Sequence, residues 1–258
     1  MTISVMHDES LVEYFYTQFI APLVKDQVYF VSLSARNKYL DEEERRRYDL
    51  GRTEMFSREV MRDVQDWRRT FRRLEANAAA YRTRTGLELP QQALVVYANI
   101  NPSSMLRAYT SFCAEMNQCI ADWTLSLSSG KESNIVPLTR MDRTLLNHVQ
   151  RSTAERYFID LDLDTDDVSL VDELLSYLQD VKYLVVNTKG GYHVLINRES
   201  LNLKDSKFKQ GLYQDLIPNL HSRAKEGGGE VVVNKNGMVP VPGTFQGEHK
   251  VTVYKSSR

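Results

Sequence analysis

Cysteine is scarce: the 258 residues include two, Cys113 and Cys119, too few for a disulfide framework. Both fall in a segment that reads as helix, where a step of about 100° per residue puts them about 240° apart, so they read as reduced packing thiols. No second CxxC pair accompanies them, and no zinc site with His148 is expected. An excess of either charge is also missing. Lys and Arg number 33 against 34 Asp and Glu, a net of −1, so no global field attracts nucleic acid and any such binding must be local. Gly (12) and Pro (7) are too few for a collagen-like or low-complexity chain, and 26% charged residues with near-zero net charge exclude global disorder. The longest apolar stretches, such as residues 93–98, fall far short of the roughly 20 residues of a membrane helix, so no membrane span is expected. The first ten residues, MTISVMHDES, carry acids where an export signal needs a basic patch and an apolar run, which makes the cytoplasm the expected location. What is present is 42% apolar residues, an ordinary globular composition that suffices for a sizeable core.

A polar loop at 126–134, SLSSGKESN, divides a helix-rich part, residues 1–134, from a strand-rich part, residues 135–258, expected to form one compact unit. The first part reads as helix 11–23, strand 27–33, charged helices 42–50 and 54–81, strand 93–99 and helix 104–123. Ten arginines between residues 45 and 73 are matched by ten acids between 41 and 75. That balance favours a salt-laced solvated helix over a template-binding face. Trp67, Phe71 and Trp123 read as core or interface residues before base-stacking platforms.

In the second part, residues 157–163 alternate, so Asp160 and Asp162 project from one face of a strand and Ile159, Leu161 and Leu163 from the other. A helix 168–179, a strand 183–187, a tight turn at Lys189-Gly190-Gly191 and a strand 192–197 follow. After a helix 204–224, the triplet Gly227-Gly228-Gly229 turns the chain into strand 230–234. An Asn236-Gly237 hairpin signal then leads to 238–241, and a strand at 250–254 closes the run. The order β-α-β-β-α-β-β-β predicts an α+β fold with a mixed, mostly antiparallel sheet and helices on one face.

Three blocks carry chemistry. Asp160 and Asp162, with Asp164 at the strand's end, crowd like charges on one face. That is unfavourable unless a divalent cation sits over them or the face is a solvated sheet edge. Asn187-Thr188-Lys189-Gly190-Gly191-Tyr192-His193 joins two strands through a Gly-Gly turn flanked by an ammonium and an imidazole. Such a turn either grips a triphosphate tail or is a plain hairpin. Glu230, at the mouth of a strand, is either a third carboxylate of a two-metal site or a solvent-facing residue after a glycine turn.

Together the blocks resemble the catalytic motifs of archaeo-eukaryotic primases, the superfamily of primase small subunits and primase-polymerases. Phe158-Ile159-Asp160-Leu161-Asp162 looks like the first motif, a hydrophobic strand with D-x-D. Asn187 to His193 is similar to the second, with Asn187 in place of Ser. Glu230 followed by Pro242-Gly243-Thr244 is similar to the third, and the resemblance covers about 100 residues. It implies an RRM-like catalytic palm with a helical N-terminal region, and template-dependent nucleotidyl transfer that makes or extends short primers on single-stranded DNA. By that resemblance Asp160, Asp162 and Glu230 hold two Mg²⁺ or Mn²⁺ ions and act catalytically. His193, Lys189, Asn187, Thr188, Gly190 and Gly191 bind the nucleoside triphosphate, Asp164 stands behind, and any helicase or accessory subunit is a separate chain. Pro240 and Gln246 depart from the pattern, which moves part of the triphosphate grip to Lys250 or Arg36. A two-metal nuclease and a non-catalytic nucleic-acid-binding or interaction subunit remain as alternatives.

Overall fold

The computed structural model describes residues 3–130, 132–201, 206–234 and 237–257. Along the chain come α1 (Glu9–Tyr14), β1 (Gln27–Ala35), α2 (Glu42–Tyr48), β2 (Glu54–Met61), α3 (Trp67–Ala80), β3 (Leu94–Asn99), β4 (Ser103–Ser104), α4 (Met105–Ser129), α5 (Val136–Thr139), α6 (Met141–Arg151) and β5 (Phe158–Asp164). Then follow α7 (Val168–Tyr177), β6 (Tyr183–Thr188), β7 (Gly191–Asn197), α8 (Ser206–Gln210), α9 (Ile217–Glu226), β8 (Glu230–Asn234), β9 (Met238–Pro240), β10 (Phe245–Gln246), β11 (His249–Lys250) and β12 (Thr252–Ser256). The fold is α+β, and its strand pairs are antiparallel. Among the described residues no helix is long and apolar enough to cross a membrane.

Two sheets form, where the sequence order implies one. The first has seven strands and runs β11-β10-β3-β1-β2, with β4 on β1 and β9 on β3. Its centre is β1, whose aromatic and β-branched run QVYFVSLSA suits a strand buried on both faces. Helix α3 covers one face with Trp67, Phe71, Leu74 and Ala78, an i, i+4, i+7, i+11 stripe. The second sheet has five strands in the order β12-β6-β7-β5-β8. The run β5-α7-β6-β7-α8-α9-β8 thus brings its first and last strands side by side, with β7 on the other flank of β5. One face of this sheet buries Leu161, Leu163, Val185, Val194, Ile196 and Val231 beneath Leu170, Val171 and Leu174 of α7 and Leu220 and Ala224 of α9.

The chain crosses the 134/135 boundary repeatedly. Strands β9, β10 and β11 return to the first sheet, and Phe158, Leu184, Val186 and Leu195 join one core with Tyr29, Val31, Leu33, Val96 and Phe71. The expected helix 54–81 begins only at Trp67. Residues Glu54–Met61 are rich in helix formers but pair with β1 from Tyr29↔Met61 to Ala35↔Glu54, because sheet pairing overrides weak local propensity. Asp63 then accepts from the Gln65 amide and restarts the chain toward α3. Among the described residues the strands on either side of Asn236-Gly237 do not pair with each other: β8 pairs with β5, whereas β9 pairs with β3 and buries Val239 in the first core. Asn236 itself lies outside the described residues, as do Lys204 of the expected helix 204–224 and Lys131 of the 126–134 loop. Helix α4 runs on through much of that loop to a left-handed cap at Gly130, and α5 and α6 follow where no helix was expected. Cys113 and Cys119 are half-buried free thiols on α4, and His148 of α6 bonds Glu115 of α4 at 2.7 Å. Trp67 and Phe71 are buried, whereas Trp123 is exposed.

Candidate functional site

Strand register decides which acids meet. Residues directly opposite in a sheet share a face. Asp160 therefore shares its face with Leu195 and Asn234, Asp162 with His193 and Val232, and Asp164 with Glu230. Asp160 is 1% exposed, and both of its oxygens are engaged. Its Oδ1 lies 3.0 Å from His193 Nδ1, and its Oδ2 accepts from Asn234 Nδ2 at 2.7 Å. The other ring nitrogen, Nε2, stands 3.6 Å from Asp162 Oδ1. Asp160 therefore fixes the imidazole from behind and leaves its second ring nitrogen turned toward Asp162.

The charges bear on one another. Burial works against a charged His193 ring, but Asp160, through its charge and hydrogen bond, with Asp162 and Asp164 behind it, holds the pKa above its ordinary value. For Asp162, burial raises the pKa, His193 opposes, and Asp160, Asp164 and Glu230 raise it further. A raised folded-state pKa adds stability that is complete below the unfolded value and lost as pH rises through the folded one. Denaturant unfolding of the metal-free protein should therefore show stability falling as pH rises past the ordinary imidazole range, about 6.5, with a shallower fall in His193→Gln. Identical slopes in the two proteins would show that His193 takes up no extra proton on folding.

The acid-bearing face of the second sheet looks across a cleft of about 550 Å³ at the open face of the first. Asp162, Asp164, Thr188, Gly190, His193 and Asn234 line one wall. The other wall is Ser32, Ser34, Arg36, Tyr97, Met55 and Gln246, with Lys38 at the cleft as well. Arg36 Nη1 donates to the Tyr97 hydroxyl at 2.7 Å. The Lys38 pKa is lowered by burial first, then by Arg36 and Lys189, against the pull of Asp164 and Asp162, so this ammonium stands between both sets of charges. Gln246 ties the sheets together: its Oε1 accepts from the Lys189 amide at 2.7 Å and its Nε2 donates to the Tyr39 hydroxyl at 2.7 Å.

The structure thus brings Asp162, His193, Thr188 and Gly190 to one cleft and sets Asp160 directly behind them. It does not bring all the expected residues there. Asn187 pairs with Tyr192 on the helix-covered side, because strand alternation sends neighbours to opposite faces. The Lys189 ammonium sits 4.8 Å over the Tyr39 ring, and Gly191 lies against the end of β5. Glu230 is exposed and opposite Asp164, so the position facing Asp160 belongs to Asn234. Lys250 is exposed at the edge strand β11. Ser32, Ser34 and Asn234 were not singled out from sequence, although polar residues at 32, 34, 36 and 38 repeat the two-residue period of the Asp160 strand.

Among the described residues no three His, Cys, Asp or Glu side chains gather as a metal cage. The expected trio of Asp160, Asp162 and Glu230 is separated by register and by the hydrogen bonds of Asp160. The donor chemistry nevertheless fits a divalent ion at Asp162 and Asp164, with Glu230 adjacent. All three offer carboxylate oxygens on one face, and the Asp162 pKa is raised by burial first and then by the neighbouring acids, a crowding that a cation relieves. No protein-family model matches the sequence, and neither a curated protein nor a solved structure matches it.

Proposed function

We propose that the chain is a template-dependent nucleotidyltransferase of the primase-polymerase type, with the second sheet as an RRM-like palm and the cleft as the nucleoside triphosphate site. One observation supports this above the rest: carboxylates and a held imidazole stand across a nucleotide-sized cleft from a guanidinium and an ammonium. In this reading a hydroxyl oxygen attacks the α-phosphorus, the bond from that phosphorus to the β-phosphate oxygen breaks, and pyrophosphate leaves with the electron pair. A divalent ion, Mg²⁺ or Mn²⁺, held by Asp162 and Asp164 would neutralise phosphate charge and favour ionisation of the attacking hydroxyl. His193, held at Nδ1 by Asp160, turns Nε2 toward the phosphates. Arg36 and Lys38 meet the same charge from the opposite wall, and Thr188 and Gly190 shape the floor. The template is single-stranded DNA bound locally, since the net charge of −1 offers no general attraction.

The test is incubation with unprimed single-stranded template, labelled nucleotides and Mg²⁺ or Mn²⁺. Labelled oligomers that vanish with a chelator, and fall about 100-fold in Asp162→Asn, are the expected result. Shortened template in place of oligomers would make the protein a nuclease. Intact template without oligomers would leave a non-catalytic binding subunit.

A further inference from the structure

Ser32 and Ser34 of β1 and Arg36 just past its end follow one another at every second position of the chain, and all three line the cleft. Ser32 and Ser34 are 0% and 1% exposed. Yet among the described residues the buried Oγ of Ser32, Oγ of Ser34 and Nε of Arg36 have no hydrogen-bond partner. A buried polar atom left unpaired is unfavourable, because it loses its bonds to water and gains none, and alanine or valine at these two strand positions would avoid it. Successive unpaired hydroxyls on a central strand, facing a cleft, mark a place that a polar ligand completes. The wall also grades along its length. Lys38 and Arg36 are anion donors, whereas Ser34 and Ser32 are neutral groups that both donate and accept. The four residue steps from Ser32 to Arg36 span roughly 13 Å of extended chain, a length suited to a nucleotide lying with its phosphates at one end and its sugar at the other. Tyr97 and Met55 offer apolar surface beside the serines.

We infer that Ser32 and Ser34 form the sugar subsite of the cleft, hydrogen-bonding the ribose hydroxyls of a nucleoside triphosphate whose phosphates lie against Arg36 and Lys38. This rests on the nucleotide reading of the cleft but requires no transfer step. Removing the hydroxyls should spare the fold, because alanine leaves nothing unpaired on that strand face. Arg36 is a different case, since its guanidinium also holds Tyr97.

The experiment is calorimetric binding of ATP and of inorganic triphosphate, in Mg²⁺ buffer, to the wild type, Ser32→Ala, Ser34→Ala and Arg36→Gln, with thermal melts to verify folding. Each serine variant should bind ATP about fivefold more weakly and inorganic triphosphate as the wild type does. Arg36→Gln should weaken both ligands together. The inference fails if the serine variants bind ATP unchanged, if they lose ATP and inorganic triphosphate equally, or if the wild type binds ATP no more tightly than inorganic triphosphate. The two claims separate cleanly. Serine-dependent ATP binding without oligomer synthesis overturns the transferase reading and leaves the subsite standing. Oligomer synthesis with serine-independent ATP binding does the reverse.

Discussion

Asp160→Ala is expected to unfold about 4 kcal/mol more easily than the wild type in urea with a chelator present. The carboxylate it removes is fully buried and accepts from two side chains on two neighbouring strands, His193 on β7 and Asn234 on β8. Alanine supplies neither acceptor. The imidazole, 7% exposed, would then stand in the sheet interior without the group that orients it. Its proton affinity should drop as well, because Asp160 is the largest of the influences that raise the His193 pKa. Asp160→Asn keeps the volume and one acceptor oxygen, so about half the loss is expected. Asp162 makes an instructive contrast. Its carboxylate is disfavoured by burial and by three neighbouring acids, so Asp162→Asn should leave the metal-free protein as stable as the wild type or slightly more so. An Asp160→Ala protein within about 1 kcal/mol of the wild type would mean that the Asp160–His193–Asn234 connection is not what holds the three strands' polar face together.

The two aspartates look alike in the sequence, and their difference shows where reading stops. Alternation in residues 157–163 identifies the strand and the shared face, because period two is written into the side chains themselves. Which acid is sealed behind the imidazole and which fronts the cleft depends on register with β7 and β8. Register across the long α8–α9 connection is not a local property. Glu230 was expected as the third ligand from its place at the mouth of a strand and from the resemblance, yet it falls two positions beyond Asp162 along the β5–β8 pairing. Part of the reason is Gly229, where a Cβ would overlap the Asp164 carbonyl, so the strand can begin at that height only with a glycine. The opposite wall was visible in principle. Residues 32, 34 and 36 are polar among apolar neighbours, the same signature as 160, 162 and 164, but a polar stripe in a strand says nothing about what it faces. Residues Glu54–Met61 failed for the converse reason: their composition favours a helix, and pairing with β1 outweighs it.

Gly191→Ala is expected to cost about 4 kcal/mol, or to prevent folding outright, while Gly190→Ala costs under about 1 kcal/mol. The two glycines are adjacent in a turn whose sequence gives no reason to distinguish them. At Gly191 φ is +140°, outside the range of L side chains, and an added Cβ would overlap the Leu163 carbonyl oxygen and lie 2.7 Å from the Thr165 amide nitrogen. These are backbone atoms at the end of β5, with no rotamer to turn aside. At Gly190 the nearest atom is Asp164 Oδ1 at 2.8 Å, the tip of an exposed side chain that can swing away. Relief of the Gly191 clash would push β7 from β5 and carry His193, two residues on, away from Asp160. Urea midpoints for the two variants, with the His193 ring signals followed by NMR, measure both effects. Equal midpoints would show that the turn yields freely and positions nothing. A large gap, with His193 signals disturbed only in Gly191→Ala, would show that the close approach of this glycine to β5 sets the height of the imidazole above the acids.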